Sequence, residues 1–323
     1  MIRRARVLER KVTTFIHSLL LFVGMLGLLA TLGWVVAGVE GLVGVLVSGG
    51  ILMLVGLRVS PALVLRLYGA RPLSPPEAPT LFRVVTALAA RAELARVPAL
   101  YYQPSRIINA FAVGRHDDSA ICLSDGLLRA LNQEELMGVL AHEISHIRNN
   151  DRWMMGLADA VSRLTRMFSW MGQLLLLLNL PMLILGGDTF PWPLVLLLTG
   201  APILSFLLQL ALSRTREYDA DLDAATLTGN PRGLANALAK MEQLRGSWLE
   251  RLLQSGRRLP EPSVLRTHPD SADRIRRLLE LEAGRRPDRE RRGSGWRHSD
   301  PHGSLPPVIL GRGLRWRVTS SSY

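Results

Sequence analysis

The sequence is poor in cysteine and in acidic residues, and both shortages narrow the possible functions. Cys122 is the only cysteine among 323 residues, so the chain can form neither an intrachain disulfide nor a cysteine-based metal cluster. Asp and Glu number 27 against 39 Lys and Arg, which gives a formal net charge of +12. The arginines flank apolar runs or crowd the C-terminal end, and no nucleic-acid motif accompanies them. We therefore expect no nucleic-acid partner, and we interpret Cys122 as a buried structural thiol.

Charged residues are also scarce in four long apolar runs, which predict membrane spans. The runs cover residues 12–37, 41–57, 167–187 and 190–212. They form two pairs, whose short links contain Glu40 and Asp188 but no basic residue, while arginines lie at the outer ends. This charge pattern is typical of hairpins whose ends face the cytoplasm. We therefore predict a multi-pass protein of the inner membrane with four transmembrane helices in two hairpins. A buried helical hairpin in a soluble core is the alternative for the second pair.

The remaining sequence predicts a mainly α-helical domain with a small antiparallel β-sheet. Strand-like segments cover residues 99–103, 107–114 and 120–123, and a polar turn containing His116 joins the last two. The predicted organisation is an N-terminal hairpin (1–71), a first part of this domain (72–166), a second hairpin (167–212), a second part of the domain (213–283) and a basic, disordered tail (284–323). Both termini and both parts of the domain are expected on the cytoplasmic side.

Residues 132–151 are predicted to form one helix with a capped N-terminus. Asn132 can accept a hydrogen bond from the first turn, and Glu135 three residues later completes a pattern close to a capping box. Apolar residues repeat at helical spacing and give the segment one buried side.

The same segment carries a metal-binding motif. His142 and His146 are four residues apart, so both imidazoles project from one side of the helix and can supply two zinc ligands. Glu143 lies beside the metal, where its carboxylate can take a proton from zinc-bound water. Two histidines with a structural role are the alternative interpretation of this spacing.

A third ligand is expected downstream, because a catalytic zinc site takes three protein ligands and keeps a position for water. Glu217 and Asp221 are four residues apart and therefore share one face of a predicted helix. Glu217 can bind the metal, and Asp221 can accept a hydrogen bond from the far nitrogen of a bound histidine such as His142. Asp219 points elsewhere and is predicted to be solvated. Alternatively, Glu217 and Asp221 pair with the preceding arginines or with water on an exposed helix.

Four segments together resemble the HtpX-like membrane zinc metalloproteases, which are similar in their catalytic core to the CAAX prenyl endoproteases. The segments are NAFAVG (109–114), AHEISHIRNND (141–151), SRTREYDAD (213–221) and THP (267–269). The resemblance covers residues 12–281 and implies a zincin-type catalytic domain with one zinc ion per chain. It implies that His142, His146 and Glu217 are zinc ligands. It also implies that Glu143 is the general base.

The resemblance further implies that residues 107–114 form an edge strand that binds substrate in extended form. The residues concerned are Asn109, Ala110, Phe111 and Ala112. An exposed strand edge captures peptide backbone through main-chain hydrogen bonds with little demand on sequence. His268 is implied to lie near the substrate carbonyl, where a donor stabilises the charge that develops on oxygen. The alternative for His268 is a loop residue without a catalytic role.

These observations predict an integral membrane zinc endopeptidase. The resemblance implies quality-control cleavage of misfolded or damaged membrane proteins, so the expected partners are protein substrates and the lipid bilayer. Two alternatives stay open: a selective protease for prenylated or other defined substrates, and a membrane adaptor that binds proteins without cutting them. An intact Glu143 and a complete ligand set argue against the adaptor.

Overall fold

The structure is a computed structural model that describes residues 2–57, 61–115, 117–187, 190–255 and 271–283. Its helices are α1 (Ile2–Leu57), α2 (Pro61–Leu67), α3 (Pro79–Arg91), α4 (Asp125–Ala130), α5 (Gln133–Arg148), α6 (Asp151–Leu185), α7 (Trp192–Thr228), α8 (Pro231–Ser255) and α9 (Ser271–Ala283). Its strands are β1 (Arg71–Pro72), β2 (Ala99–Gln103), β3 (Ala110–Arg115) and β4 (Asp118–Ser124). Within the residues that the structure describes, the chain divides into two compact units: residues 2–57, 150–187 and 190–219 form the first, and residues 61–115, 117–149, 220–255 and 271–283 form the second.

Three helices are long and apolar enough to cross a membrane, by length and composition. The candidate spans are Lys11–Ile51, Trp153–Leu185 and Trp192–Thr228. In the most apolar 18-residue stretch of each span, only 22%, 17% and 22% of the residues are buried. Most of these side chains therefore face outward rather than into a soluble core. The predicted number of four spans is therefore wrong, and the described residues contain three candidate spans.

The count differs because the first two apolar runs lie within the single element α1, in which two helices meet at a break. The candidate span in α1 has 41 residues, and a straight helix of that length would measure about 60 Å, twice the hydrocarbon core. Instead, α1 consists of two helices that meet at Ala37 and Gly38, whose backbone dihedrals are non-helical. The break lies just before Glu40, where the sequence predicts a turn between two helices.

Gly33 and Gly41 lie on either side of this break, and their backbones are in close contact. A Cβ atom on Gly33 would lie 2.7 Å from the carbonyl oxygen of Gly41, and one on Gly41 would overlap the carbonyl oxygen of Gly33. Eight residues of straight helix span about 12 Å, so the chain must reverse its direction at the break. The missing side chains allow this approach, as in other close pairs of membrane helices.

The sheet of the second unit has the strand order β1-β2-β4-β3 and is mixed. The pairs β1–β2 and β3–β4 are antiparallel, but β2 and β4 are parallel, so the predicted antiparallel sheet is wrong for its central pair. The reason is the order of the strands: the chain leaves β2, forms β3 at the far edge and returns as β4 between them. As a result, β3 is an edge strand, and it begins at Ala110 rather than at residue 107.

Helix α5 has the predicted capping box and is shorter than predicted. The backbone N–H of Glu135 donates to Oδ1 of Asn132 at 2.9 Å, and the backbone N–H of Asn132 donates to Oε2 of Glu135 at 2.8 Å. The helix ends at Arg148 because Asn150 adopts a left-handed conformation with φ of 53°, and α6 begins directly afterwards. One side of α5 packs in the apolar core of the second unit and thereby holds the motif rigidly.

Cys122 lies in β4 and is fully buried, as the sequence predicts. Its neighbours in the core include Leu65, Phe111 and Val113. Burial raises the pKa of the thiol to about 12, so the reactive thiolate is not populated at neutral pH. Cys122 is therefore a packing residue.

Candidate metal centre and active site

The imidazoles of His142 and His146 converge on one side of α5. Their Nε2 atoms lie 3.1 Å apart, and the ring planes meet at 85°. Two nitrogen ligands at tetrahedral positions around zinc lie about 3.3 Å apart, given zinc–nitrogen distances near 2.0 Å. The histidine pair is thus spaced as a metal site requires.

Asp221 occupies the other side of the His142 ring. Its Oδ1 lies 3.1 Å from Nδ1 of His142, which favours the tautomer with the proton on Nδ1 and the lone pair on Nε2. Both side chains are buried, so water does not compete for this contact. Asp221 thus lies beside His142, at the position that its predicted hydrogen bond to a motif histidine requires.

Glu217 lies one turn before Asp221 on α7 and completes a group of three candidate ligands. One ligand atom each from His142, His146 and Glu217 lie within 4.8 Å of one another. Two imidazoles and one carboxylate are a ligand set of catalytic zinc sites. Glu217 is 6% exposed and Asp221 is 5% exposed, which excludes the alternative of a solvated helix surface.

Charged side chains surround the candidate ligands. The carboxylates of Glu143, Glu217 and Asp221 are buried, and so is the guanidinium of Arg274. Burying an unpaired charge is costly, and a divalent cation can offset part of the negative charge of the carboxylates. The donor atoms and their spacing agree with a metal site.

Glu143 follows His142 on α5, and its carboxylate is anchored to the sheet. Its Oε2 accepts a hydrogen bond from the backbone N–H of Ala112 in β3 at 2.8 Å. Glu143 is 8% exposed, so this bond holds a carboxylate in a largely dry site next to the candidate ligands. A base in this position is pre-oriented, because it is tied to a strand rather than to a mobile loop.

The pairing of β3 with β4 explains why the Ala112 N–H is available. Hydrogen-bonding groups alternate in direction along an antiparallel strand. The backbone N–H of Ser124 donates to the carbonyl oxygen of Asn109 at 3.0 Å. In this register, the alternate residues Ala110 and Ala112 direct their N–H and C=O groups away from β4. The outer edge of β3 therefore presents backbone groups on the side of α5.

The predicted substrate residues differ in what their side chains do. Phe111 is buried and its ring lies 5.0 Å from the ring of Tyr68, and the Ala112 side chain is fully buried. Asn109 and Ala110 are half-buried. At Ala112, any contact that β3 makes with a peptide must therefore use the backbone, whereas the backbone groups of Phe111 face β4.

The prediction that Asp219 is solvated is wrong. Asp219 is 8% exposed, and its Oδ2 lies 3.8 Å from Nη2 of Arg216. Arg216 also donates from Nε to Oδ1 of Asp151 at 2.6 Å, so it is engaged by residues other than Glu217. Helical spacing shows only that Asp219 points away from Glu217 and Asp221. It could not show that Arg216 and Asp151 lie on that side of α7.

Arg274 in α9 is a site residue that the sequence analysis missed. Its guanidinium donates to both carboxylate oxygens of Asp221, and its Nη2 lies 3.5 Å from Nε2 of His142. The motif spacing gave no signal, because Arg274 is 53 residues from Asp221. His268 and His116 lie outside the described residues, so the role implied for His268 stays a prediction.

Residues 75–282 match the sequence profile of Peptidase family M48. The chain belongs to peptidase family M48. It is accordingly a metalloprotease, and the resemblance read from its motifs is confirmed. Peptidases of family M48 are zinc-dependent in general, and the group of His142, His146 and Glu217 is where this M48 chain could bind a metal.

Two relatives illustrate how far this similarity extends. A Protease HtpX homolog of Acaryochloris marina is 38% identical over 268 residues, which cover 73% of this chain and 86% of the relative. A Protease HtpX homolog of Aquifex aeolicus is 35% identical over 272 residues, which cover 79% and 89%. Together with the three apolar helices, these relatives indicate that the M48 chain is integral to a membrane.

The crystal structure of S. mikatae Ste24p is a more distant match. It superposes with a TM-score of 0.44 at 20% sequence identity and covers 84% of this chain and 66% of that chain. A likeness of this size does not transfer a substrate or a mechanism to the M48 chain.

Proposed function

We propose that this M48 protein is an integral membrane zinc endopeptidase that cleaves misfolded or damaged membrane proteins. The observation that carries the proposal is the convergence of two Nε2 atoms and the Glu217 carboxylate, with Glu143 beside them. This arrangement combines a metal ligand set with a base, and both lie next to a strand edge. The HtpX homologs are named proteases, which supports peptide hydrolysis as the reaction.

Each residue of the proposed centre has a separate task. His142, His146 and Glu217 would hold zinc, and Asp221 would keep the lone pair of His142 on Nε2. What zinc supplies when bound is Lewis acidity, which lowers the pKa of water and polarises a carbonyl group. Glu143 would take the proton from the attacking water and then deliver it to the leaving amine.

We propose that β3 holds the substrate backbone in extended form. The outward C=O of Ala112 and the outward N–H and C=O of Ala110 can pair with a peptide of any sequence. Pairing through the backbone suits an enzyme that acts on damaged proteins, because damage leaves no common sequence. We retain His268 as a proposed donor to the carbonyl oxygen of the substrate.

Chelation tests the proposed reaction directly. The purified protein in detergent should digest casein, lose this activity with a zinc chelator and regain it when zinc is restored. Zinc should be bound at one ion per chain, as measured by elemental analysis. Casein binding without cleavage in the zinc-loaded protein would instead favour the adaptor. Cleavage confined to prenylated peptides would favour the selective protease.

We also propose that the termini and residues 72–166 and 213–283 lie in the cytoplasm, with residues 1–71 and 167–212 forming the membrane parts. Basic residues support this orientation, since Arg58, Arg66 and Arg71 follow the first apolar segment while Glu40 lies near its bend. Residues 284–323 would add a basic tail on the same side.

Thiol labelling tests this orientation. Because Cys122 is buried, a cysteine introduced elsewhere can be labelled selectively. Glu40→Cys should react with a membrane-impermeant maleimide in intact spheroplasts. Glu242→Cys, at an exposed position of α8, should react only after the membrane is permeabilised. The reverse pattern of labelling would contradict the proposed orientation.

A further inference from the structure

Arg274 is buried to an extent that is unusual for arginine, with 3% of its surface exposed. It lies in the first turn of α9. Leu278, one turn later in the same helix, packs in the apolar core of the second unit. Burial of a guanidinium is tolerated only where its charge and its N–H groups are satisfied. The contacts of Arg274 therefore show which group it serves.

Asp221 supplies these contacts in a forked geometry. Nε of Arg274 donates to Oδ2 at 2.8 Å, and Nη2 donates to Oδ1 at 2.7 Å. Two parallel bonds fix the plane of a carboxylate as well as its position. Lysine cannot reproduce this restraint, because its ammonium group is a point charge without a planar fork.

The restrained oxygen is the one that faces the metal-binding motif. Oδ1 of Asp221 lies 3.1 Å from Nδ1 of His142, so the guanidinium, carboxylate and imidazole form a continuous chain. If Arg274 were absent, the carboxylate could rotate, and Oδ1 would lose its fixed place beside the ring. The His142 ring would then be free to turn its Nε2 away from His146.

We propose that Arg274 is a positioning residue that sets the zinc affinity of the site through Asp221 and His142. The inference rests on the proposed zinc site and adds to it a partner from a separate, later helix. It follows that the docking of α9 contributes to metal affinity, although no residue of α9 is among the candidate ligands.

Zinc affinity measured by competition with a chromophoric chelator provides the test, on full-length protein in detergent. Arg274→Gln should weaken zinc binding by about 10–100-fold, the usual effect of losing an outer partner of a ligand. Arg276→Gln, which changes an exposed arginine of the same helix, should leave the affinity unchanged. The visible spectrum of the cobalt-substituted protein should shift in Arg274→Gln and not in Arg276→Gln, because only the former alters the ligand geometry.

A double variant separates positioning from general stability. If Arg274 acts through Asp221, then Arg274→Gln should cause no further loss of zinc affinity in an Asp221→Asn background. Independent, multiplying losses would overturn the proposal, as would wild-type or tighter zinc binding in Arg274→Gln, because Nη2 of Arg274 lies 3.5 Å from Nε2 of His142 and could instead compete with zinc. If circular dichroism shows that Arg274→Gln does not fold, Arg274→Lys replaces it, because lysine keeps the charge and lacks the planar fork. The same changes in zinc affinity are then expected of Arg274→Lys. Failure of the parent protein to bind zinc would refute the proposed function. An unchanged zinc affinity in Arg274→Gln would refute only this inference.

Discussion

Glu143→Gln should reduce proteolysis by about 10³-fold and leave the zinc content unchanged. A glutamine amide cannot accept the proton of an attacking water, and loss of a general base costs about 10²–10⁴-fold in rate. The side chains are almost equal in volume, and the glutamine Oε1 can still accept the hydrogen bond from the Ala112 N–H. The variant therefore removes the base while the geometry of α5 and β3 is preserved.

Initial rates of peptide cleavage and elemental analysis on the same preparation measure both effects. Glu134→Gln is the matched control, because Glu134 lies on the exposed side of the same helix, and its activity should equal that of the parent. Full activity in Glu143→Gln would remove Glu143 from the mechanism. Loss of zinc would instead place Glu143 among the metal ligands.

Glu217→Gln should weaken zinc binding on the order of 10²–10³-fold and abolish proteolysis at low zinc concentration. Structural zinc sites bind with about 10–16 kcal/mol, and the loss of one of few ligands removes a large share of that. The neutral amide also removes one negative charge that attracts the cation. Competition with a chelator measures the affinity, and activity should return partly when zinc is added in excess.

Asp223→Asn is a suitable control for this second substitution. Asp223 is another buried carboxylate of α7, but its Oδ2 accepts hydrogen bonds from Ser145 and Asn149 at 3.1 Å rather than belonging to the ligand group. We expect Asp223→Asn to lower the thermal midpoint and keep the zinc. Equal loss of zinc in both variants would show that Glu217 acts through packing and not as a ligand.

Sequence reasoning worked where the geometry depends on one continuous segment. The spacing of His142 and His146 fixes their directions because both belong to one helix, and the capping box of Asn132 and Glu135 spans a single turn. The relation of Glu217 to Asp221 is local in the same way. These features follow from helical periodicity alone, so no knowledge of the tertiary fold was needed.

The errors concern relations between distant segments. Hydropathy identified two apolar runs before residue 57, but it could not show that the helices containing them join directly within α1, which forms one candidate span. Strand patterns identified β2 and β4 but carry no information on which strands become neighbours, so their parallel pairing was missed. The contact of Arg274 with Asp221 could not be predicted for the same reason, because only folding brings α9 next to Asp221.

The bond between Ala112 and Glu143 has a consequence for how firmly a peptide is held. The Ala112 N–H already donates to Glu143, so a peptide paired along β3 would form one backbone hydrogen bond fewer. Each such bond contributes only about 0.5–1.5 kcal/mol. The bond that orients the Glu143 carboxylate thus lowers the affinity of β3 for a peptide. In the proposed endopeptidase, weak retention of the substrate would favour rapid exchange of polypeptides on the strand.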